Sequence, residues 1–154
     1  MKETKENKRL YEIKDGTVID HIPAYMALNV LKVLGIDEKN SGIIGVGMNF
    51  QSNRIGRKDV IKVEGKDLTQ DELNRIALFA PNATINRIKD SSVAKKVHVT
   101  VPPFFEDIVA CTNPNCITRH QKIVSKFITV LPMPVTLQCH YCEKTVSGEN
   151  IRLL

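Results

Sequence analysis

The sequence predicts an α+β fold, in which a β-α-β-β-α-β domain is followed by a small all-β domain. Strand and helix patterns alternate through residues 1–101, which contain no cysteine, whereas all four cysteines lie after residue 110. The two regions meet at Val101-Pro102-Pro103, and two prolines in a row cannot join a central strand. We therefore predict two domains, residues 1–101 and residues 102–154.

The first half of the N-terminal region contains one helix pattern between strand patterns. Residues 9–20 alternate apolar and polar side chains, which predicts an extended segment. Pro23 and Gly35 bracket the first helix pattern, since proline favours the first helical turn and glycine the position after the last. Two strands follow at residues 43–50 and 58–64, and the polar link between them is typical of a hairpin.

The second helix is predicted to begin at a capping box formed by Thr69 and Glu72 and to end before Pro81. Residues 83–88 and 96–101 are predicted to be closing strands. This element order is the ferredoxin-like split βαβ pattern. It predicts an antiparallel sheet with both helices on one face, so that the other face is left for a ligand, a partner or solvent.

The composition is that of an ordinary globular protein. The 154 residues are 42% hydrophobic and 25% charged, which argues against a disordered or fibrous chain. No uncharged stretch reaches the roughly 20 apolar residues of a membrane-spanning helix, and no apolar core of a signal peptide follows the charged N-terminus. We therefore expect a soluble cytoplasmic protein with no membrane partner.

The net charge of +5 raises the possibility of a nucleic-acid partner, because basic domains often bind polyanions. Residues 102–154, however, carry five basic and four acidic side chains. Aromatic residues make up only 5% of the chain, with no tryptophan, which is poor for base stacking. We expect no nucleic acid as partner, but a zinc-ribbon nucleic-acid-binding protein remains the alternative, through Lys144 and Arg152.

The spacing of the cysteines is typical of a zinc site. Cys111 and Cys116 are separated by four residues, Cys139 and Cys142 by two, and 22 residues lie between the pairs. Each short pair can form a tight turn with both sulfurs facing one point, and the long loop brings the turns together. Four thiolates leave no open coordination position, so we predict one structural Zn²⁺ per chain.

Two disulfides, free thiols or an iron–sulfur centre are the alternatives to zinc. Disulfides are disfavoured in a chain without a secretion signal, because the cytosol keeps thiols reduced. His120 and His140 could each replace a cysteine as ligand, but four thiolates already complete a zinc site, so both histidines are expected at the surface or behind the ligands.

The sequence lacks the motifs of the common enzyme classes. Gly45 and Gly47 begin a glycine pattern that ends at Phe50, so the third glycine of a dinucleotide-binding loop is missing. Phosphate-loop, serine-nucleophile and HExxH motifs are absent. Asp20 and His21 are adjacent, and neighbouring residues of a strand point to opposite faces, so we do not expect them to act as a catalytic pair. We therefore predict no catalytic residues.

Four segments, GTVIDHIPA, GRKDVIKVEG, IALFAPNATINRI and CTNPNC…CHYCEK, occur in this order. Together they resemble the regulatory chain of bacterial aspartate carbamoyltransferase, from about Leu10 to Leu154. The resemblance implies a non-catalytic subunit in de novo pyrimidine biosynthesis, whose N-terminal domain binds CTP, UTP and ATP as allosteric effectors. It also implies homodimers formed through that domain, and a zinc domain that holds the catalytic chain so that catalytic trimers are bridged.

The resemblance further implies an effector site, with Asp20 near the ribose, His21 near the phosphates, and lysines beside base, ribose and triphosphate. Lys58 and Arg87 are basic residues expected near the same site. Tyr11 and Ser91 replace an acidic and an aromatic residue of the family. The implied effector-binding residues are Tyr11, Ile13, Val18, Asp20, His21, Lys62, Asn86, Ile88, Ser91, Val93 and Lys96.

In the zinc domain, the resemblance implies contacts with the catalytic chain beside the cysteines. Asn113 and Asn115 lie within the first cysteine pair, and Glu143 follows the last cysteine. All three match positions that the family uses at this interface. Gln121 stands where the family often has glutamate.

Overall fold

The computed structural model describes residues 10–36 and 42–154. The described chain divides into two compact units, an N-terminal unit that ends at Val99 and a C-terminal unit, Thr100–Leu154. This division lies two residues before the boundary that we predicted from the prolines. No helix within the described residues is long and apolar enough to cross a membrane.

The N-terminal unit contains a five-stranded antiparallel sheet with strand order β2-β3-β1-β4-β5. This is the predicted ferredoxin-like arrangement, extended at one edge by β5. The elements are β1 (Gly16–Pro23), α1 (Ala27–Leu34), β2 (Ile44–Ser52), β3 (Gly56–Glu64), α2 (Gln70–Ala77), β4 (Thr84–Lys89) and β5 (Ser92–His98).

The two helices have the ends that the sequence indicates, with one difference. Thr69 Oγ1 accepts a hydrogen bond from the Glu72 amide, and Glu72 Oε2 accepts one from the Thr69 amide, so the capping box is confirmed. Gly35 ends α1 with a left-handed φ of 59°, which glycine adopts without strain. The start of α1, however, is three residues later than the pattern indicated, because Tyr25 has a φ of 68° and turns the chain first.

Two predicted strands are shifted along the chain. The segment predicted to be extended over residues 9–20 is a strand only from Gly16 onward, where β1 begins. The strand predicted at residues 96–101 begins four residues too late, since β5 starts directly after β4. Asp90 and Ser91, with φ of 50° and 64°, form the two-residue turn between them. Two consecutive positive φ angles are usual in such hairpins, but Asp-Ser is a weaker signal for them than Asp-Gly.

The register of the sheet separates its two faces. Ile19 pairs with Ile61 and Ile85, and residues directly opposite each other share a face. Leu73 of α2 lines a cavity together with Ile85, and α1 contacts α2. Both helices therefore cover the face of these isoleucines. We call the opposite face, which carries Val18, the helix-free face.

The C-terminal unit is all-β, as predicted, with two 3-10 turns. It contains a four-stranded sheet of order β10-β9-β8-β6 and a two-stranded sheet of β11 and β7. The strands are β6 (Phe104–Glu106), β7 (Val109–Ala110), β8 (Lys126–Pro132), β9 (Val135–Cys139), β10 (Thr145–Ser147) and β11 (Arg152–Leu153). Its buried centre includes Phe105, Phe127 and Leu137. Phe105 pairs with Phe127, and Phe127 pairs with Cys139 at the end of β9.

Candidate functional site

The four cysteines of the C-terminal unit meet at one point. Their sulfur atoms all lie within 4.8 Å of one another. The Sγ atoms of Cys111 and Cys142 are 3.6 Å apart, and those of Cys116 and Cys139 are 3.8 Å apart. A zinc–sulfur distance of about 2.3 Å gives a tetrahedron with edges of about 3.8 Å. The sulfurs are therefore already spaced as ligands of a single tetrahedral ion.

Hydrogen bonds donated by backbone amides shape the two turns that present these sulfurs. In the first turn, the Cys116 amide donates to the Asn113 carbonyl, 3.1 Å, and the Asn115 amide donates to Asn113 Oδ1, 3.0 Å. In the second, the Glu143 amide donates to the Cys139 carbonyl, 3.0 Å, and Glu143 itself has a left-handed φ of 62°. The metal ligands are therefore positioned by local turns at the ends of short strands.

The protonation of the thiols is uneven without a cation. Burial acts to raise the pKa of Cys142, but hydrogen bonds from the Asn113 side chain and the Lys144 amide outweigh it and lower this pKa to about 6. Burial and the neighbouring sulfurs raise the pKa of Cys111 to about 12. Four thiolates this close repel one another, so a bound cation is needed to keep all of them ionised.

The alternatives to an all-cysteine metal site are not supported by the geometry. The four cysteines are free, and sulfurs 3.6 Å apart are not bonded to each other. His120 lies outside the group, with Nε2 2.8 Å from the Pro114 carbonyl. His140 is also outside, and its ring lies edge-on to Tyr141 at 5.1 Å. Neither histidine replaces a cysteine.

Four of the predicted effector residues form a row on the helix-free face. Val18 pairs with Lys62 on β3 and with Asn86 on β4, and Asn86 pairs with Lys96 on β5. Lys62 is fully buried, whereas Lys96 is exposed. The row therefore has a buried lysine, Lys62, at its β3 end and an exposed lysine, Lys96, at its β5 end.

Asp20 and His21 lie beside this row on the same side of the sheet. The expectation that they point to opposite faces was wrong, because the β1–β3 register is irregular between Ile19 and Ile22 and His21 has a φ of 58°. The His21 amide donates to Asp20 Oδ1, 2.6 Å. The His21 Nδ1 atom lies 3.0 Å from Thr84 Oγ1 and 3.8 Å from Asp20 Oδ1.

Cations surround His21. Lys58, of which only 4% of the side chain is exposed, places Nζ 3.0 Å from Asp20 Oδ1. Burial lowers the pKa of His21 and Asp20 opposes this, while the positive charges of Lys58, Arg54 and Lys96 lower it further. Because Lys58 is paired with Asp20, Arg54 and Lys96 supply the net positive charge near this imidazole, and that environment favours an anion.

An apolar cluster on the helix-free face includes Val18 and three other predicted residues. Ile13, Val18 and Ile88 are buried together with Val60, and Val93 packs against them. Tyr11 is half-exposed and is not part of this cluster. Ser91 lies in the β4–β5 turn, where its amide donates to the Lys14 carbonyl, 2.9 Å. The structure therefore groups most of the predicted residues but not these two side chains.

One residue that we predicted near the effector site lies on the helix side of the sheet, and two residues near His21 were not predicted. Arg87 lies on the helix side of the sheet, with Nη2 2.8 Å from Asp67 Oδ2, so our placement of Arg87 near the site was wrong. Thr84 and Arg54 were not predicted. Their approach to His21 depends on the irregular register of β1, for which the sequence carries no recognisable signal.

The predicted interface residues surround the metal ligands. Asn113 is partly buried between Cys111 and Cys116, and Asn115 and Glu143 are exposed on the two turns. Because the turns are fixed by the cysteines, these side chains have defined directions at the surface. They are available to a partner.

Two family models together match nearly the whole chain. The model described as "Aspartate carbamoyltransferase regulatory chain, allosteric domain" matches residues 9–100, and the model described as "Aspartate carbamoyltransferase regulatory chain, metal binding domain" matches residues 104–152. Their boundary agrees with the division of the described residues into two units.

Relatives with the name "Aspartate carbamoyltransferase regulatory chain" align over most of their length. The chain from Pyrococcus furiosus is 48% identical over 140 residues, which cover 90% of this chain and 92% of the relative. The chain from Hyperthermus butylicus is 49% identical over 141 residues, 90% and 88% of the two chains. The chain from Thermococcus kodakarensis is 42% identical over 146 residues, which cover 95% of this chain and 96% of the relative.

These relatives are archaeal, so a resemblance to bacterial chains in particular was wrong, whereas the family itself was predicted correctly. The name distinguishes a regulatory chain from a catalytic one, in agreement with the absence of catalytic motifs from the sequence. From the two family matches, the archaeal relatives and the cluster of four cysteines, we conclude that this chain belongs to the aspartate carbamoyltransferase regulatory chain family.

Proposed function

We propose that this chain binds CTP, UTP and ATP on the helix-free face of its N-terminal unit and transmits their effects to the catalytic chain of aspartate carbamoyltransferase. One observation carries the proposal: the row of Val18, Lys62, Asn86 and Lys96 lies beside the cations around His21. Through it, the chain acts in pyrimidine biosynthesis as a sensor of nucleotide supply.

The chemistry of this face suits the parts of a nucleoside triphosphate. The phosphates are accommodated by Lys96 and the cations near His21, because lysine ammonium groups suit phosphate oxygens. The buried apolar residues Ile13 and Ile88 offer a surface for a base. Asp20 and Asn86 supply acceptors for sugar hydroxyls. This assignment makes Asp20, His21, Lys62 and Lys96 the central ligands.

Lys96→Ala tests the assignment of the phosphate site. We expect weaker binding of ATP and CTP, by about ten-fold, because one charge-assisted hydrogen bond is worth about 1.5–3 kcal/mol. Assembly with the catalytic chain should not change. Lys95→Ala is the matched control, since it removes the same charge from the neighbouring residue, which faces the helix side. If calorimetry gave both variants the same affinity for ATP and CTP, Lys96 would not be part of the site.

Allosteric control requires that each nucleotide bind two states of the complex unequally. Effector binding is proposed to shift how the N-terminal unit packs against its partners, and so to bias the catalytic assembly between states of low and high activity. A coupling free energy of about 1–3 kcal/mol is typical of such systems. Opposite effects of CTP and ATP would follow from opposite preferences for the two states.

We propose that the metal is a structural Zn²⁺, one per chain. The four cysteines within 4.8 Å suit one tetrahedral ion. A cluster of several irons would hold its cysteines further apart. The residues that would hold the ion are Cys111, Cys116, Cys139 and Cys142. Because it has no open position, the ion would stabilise the fold and activate no water.

The C-terminal unit is proposed to hold the catalytic chain through Asn113, Asn115 and Glu143, whose turns depend on the metal. A chain with one surface for the catalytic chain and another for a second copy of itself can bridge catalytic trimers. We also propose that the protein is cytoplasmic, because four cysteines grouped as metal ligands are typical of a reducing compartment.

A homodimer through the N-terminal unit is supported by an exposed apolar surface beside an edge strand. β2 forms the edge of the described sheet, and Ile43, Val46 and Met48 on or beside it are exposed, as are Tyr25 and Leu28 near α1. Unpaired edges and clustered apolar side chains invite a second chain.

Val46→Glu tests this dimer. We expect a shift from dimer to monomer in analytical ultracentrifugation, because an unpaired carboxylate would be buried at the interface. Val130→Glu makes the same change at another exposed position, in the C-terminal unit, and should leave the dimer intact. A Val46→Glu chain that stays dimeric at micromolar concentration would contradict the proposed surface.

Co-purification with a tagged catalytic chain tests the function as a whole. We expect a complex that contains zinc, and catalytic activity that responds to at least one of the three nucleotides. Binding of oligonucleotides with a steep loss of affinity as salt rises, together with no catalytic partner, would instead support a nucleic-acid-binding protein.

A further inference from the structure

The helices leave part of their own face of the sheet open. A cavity of about 290 Å³ lies between the first turns of α2 and the strands β4 and β5. It exists because β5 extends the sheet beyond the area that two short helices cover. Leu68 and Leu73 form the apolar part of its helix side, and Ile85 and Val97 form the apolar part of its sheet side. The polar side chains of Thr17, Gln70 and Asp67 also line it, so its lining is mixed.

Two cations lie side by side at the rim of this cavity. Arg87 and Lys95 are directly opposite each other on β4 and β5, and both line the cavity. Like charges in this arrangement repel. Asp67 neutralises Arg87 at 2.8 Å, and among the described residues no acidic group pairs with Lys95. The rim therefore has an excess of one positive charge, that of Lys95, beside the apolar side chains of the lining.

We propose that this cavity binds a small organic anion with an apolar body. The anionic group would lie beside Lys95, which has no acidic partner among the described residues, and away from Asp67, and the apolar body would lie against Leu73 and Val97. Ligand sites are typically concave and mostly apolar, with a few converging polar groups. A cavity of this volume admits one ring system or a short chain.

The site is separate from the proposed nucleotide site. Lys95 and Lys96 are consecutive residues of β5 and point to opposite faces of the sheet. Val97 and Ile85 lie on the helix side, whereas Lys96 pairs with Asn86 on the helix-free face. The anion site therefore does not depend on nucleotide binding.

Titration of the full-length chain with naphthalene-1-sulfonate, followed by amide NMR shifts, tests the proposal. We expect saturable shifts at Leu73, Ile85 and Val97, weaker binding of the uncharged 1-naphthylmethanol, and no displacement by ATP. Equal binding of the uncharged compound, displacement by ATP, or shifts centred on Lys62 and Lys96 would overturn it. Failure of ATP to bind would affect only the proposed function.

Three variants refine the test. Lys95→Gln should weaken sulfonate binding by about two- to five-fold, the range for an exposed charge, whereas Lys89→Gln, which removes a charge near the β4–β5 turn, should not. Val97→Phe should fill the cavity and abolish binding of both compounds. If Lys95→Gln and Lys89→Gln bind the sulfonate as wild type does, the proposal is wrong, whether or not Val97→Phe folds.

Discussion

Loss of the metal, by chelation or by Cys139→Ser, should unfold the C-terminal unit and release the chain from its catalytic partner. Cys139 is buried at the end of β9 and joins the two turns through the cluster. Metal binding in small zinc domains contributes about 10–16 kcal/mol, and a unit of this size has only a limited apolar core of its own. Nucleotide binding by the N-terminal unit should remain largely intact.

Metal content, NMR dispersion and co-sedimentation with the catalytic chain measure this outcome. His120→Ala is the control, because His120 lies outside the sulfur cluster, with its ring Nε2 2.8 Å from the Pro114 carbonyl. That variant should keep one metal ion per chain. Retention of the ion by Cys139→Ser, or simultaneous loss of nucleotide binding, would contradict a separate metal-dependent unit.

Asp20→Asn should lower the free energy of unfolding by about 3–5 kcal/mol, since it leaves the Lys58 ammonium buried without its counter-ion. Both side chains are 4% exposed, and Lys58 Nζ is 3.0 Å from Asp20 Oδ1. Urea unfolding of the full chain, followed by NMR signals of the N-terminal unit, measures the loss. The effect should be confined to this unit.

Asp67→Asn provides the comparison for this prediction. It breaks a carboxylate–cation pair of similar length, but Asp67 and Arg87 are 57% and 54% exposed. Exposed pairs contribute about 0–1 kcal/mol. If both variants lost the same free energy of unfolding, burial would not be the reason that the Asp20–Lys58 pair stabilises the fold.

Features set by residues close together in the chain could be predicted from the sequence. The capping box of Thr69 and Glu72 spans three residues, and Gly35 ends its helix by its own backbone freedom. The two cysteine turns are equally local, so their spacing was sufficient to predict a common metal site. The family resemblance added the expected partners and ligands, which no local pattern provides.

Features set by register between distant segments could not be predicted. His21 and Asp20 share a side only because β1 departs from regular pairing after Ile19. We expected Arg87 near the other cations, but the alternation of β4 turns it to the helix side beside Asp67. Each outcome depends on contacts between residues tens of positions apart, which one sequence does not reveal.

The activity of the reconstituted complex, measured as CTP, UTP and ATP are each added, tests the central claim most directly. The complex should be shown first to contain zinc and both chains. We predict saturable changes in activity that become much weaker in Lys96→Ala and persist in Lys95→Ala. Activity unaffected by all three nucleotides in such a complex would contradict the role of this chain as a nucleotide sensor.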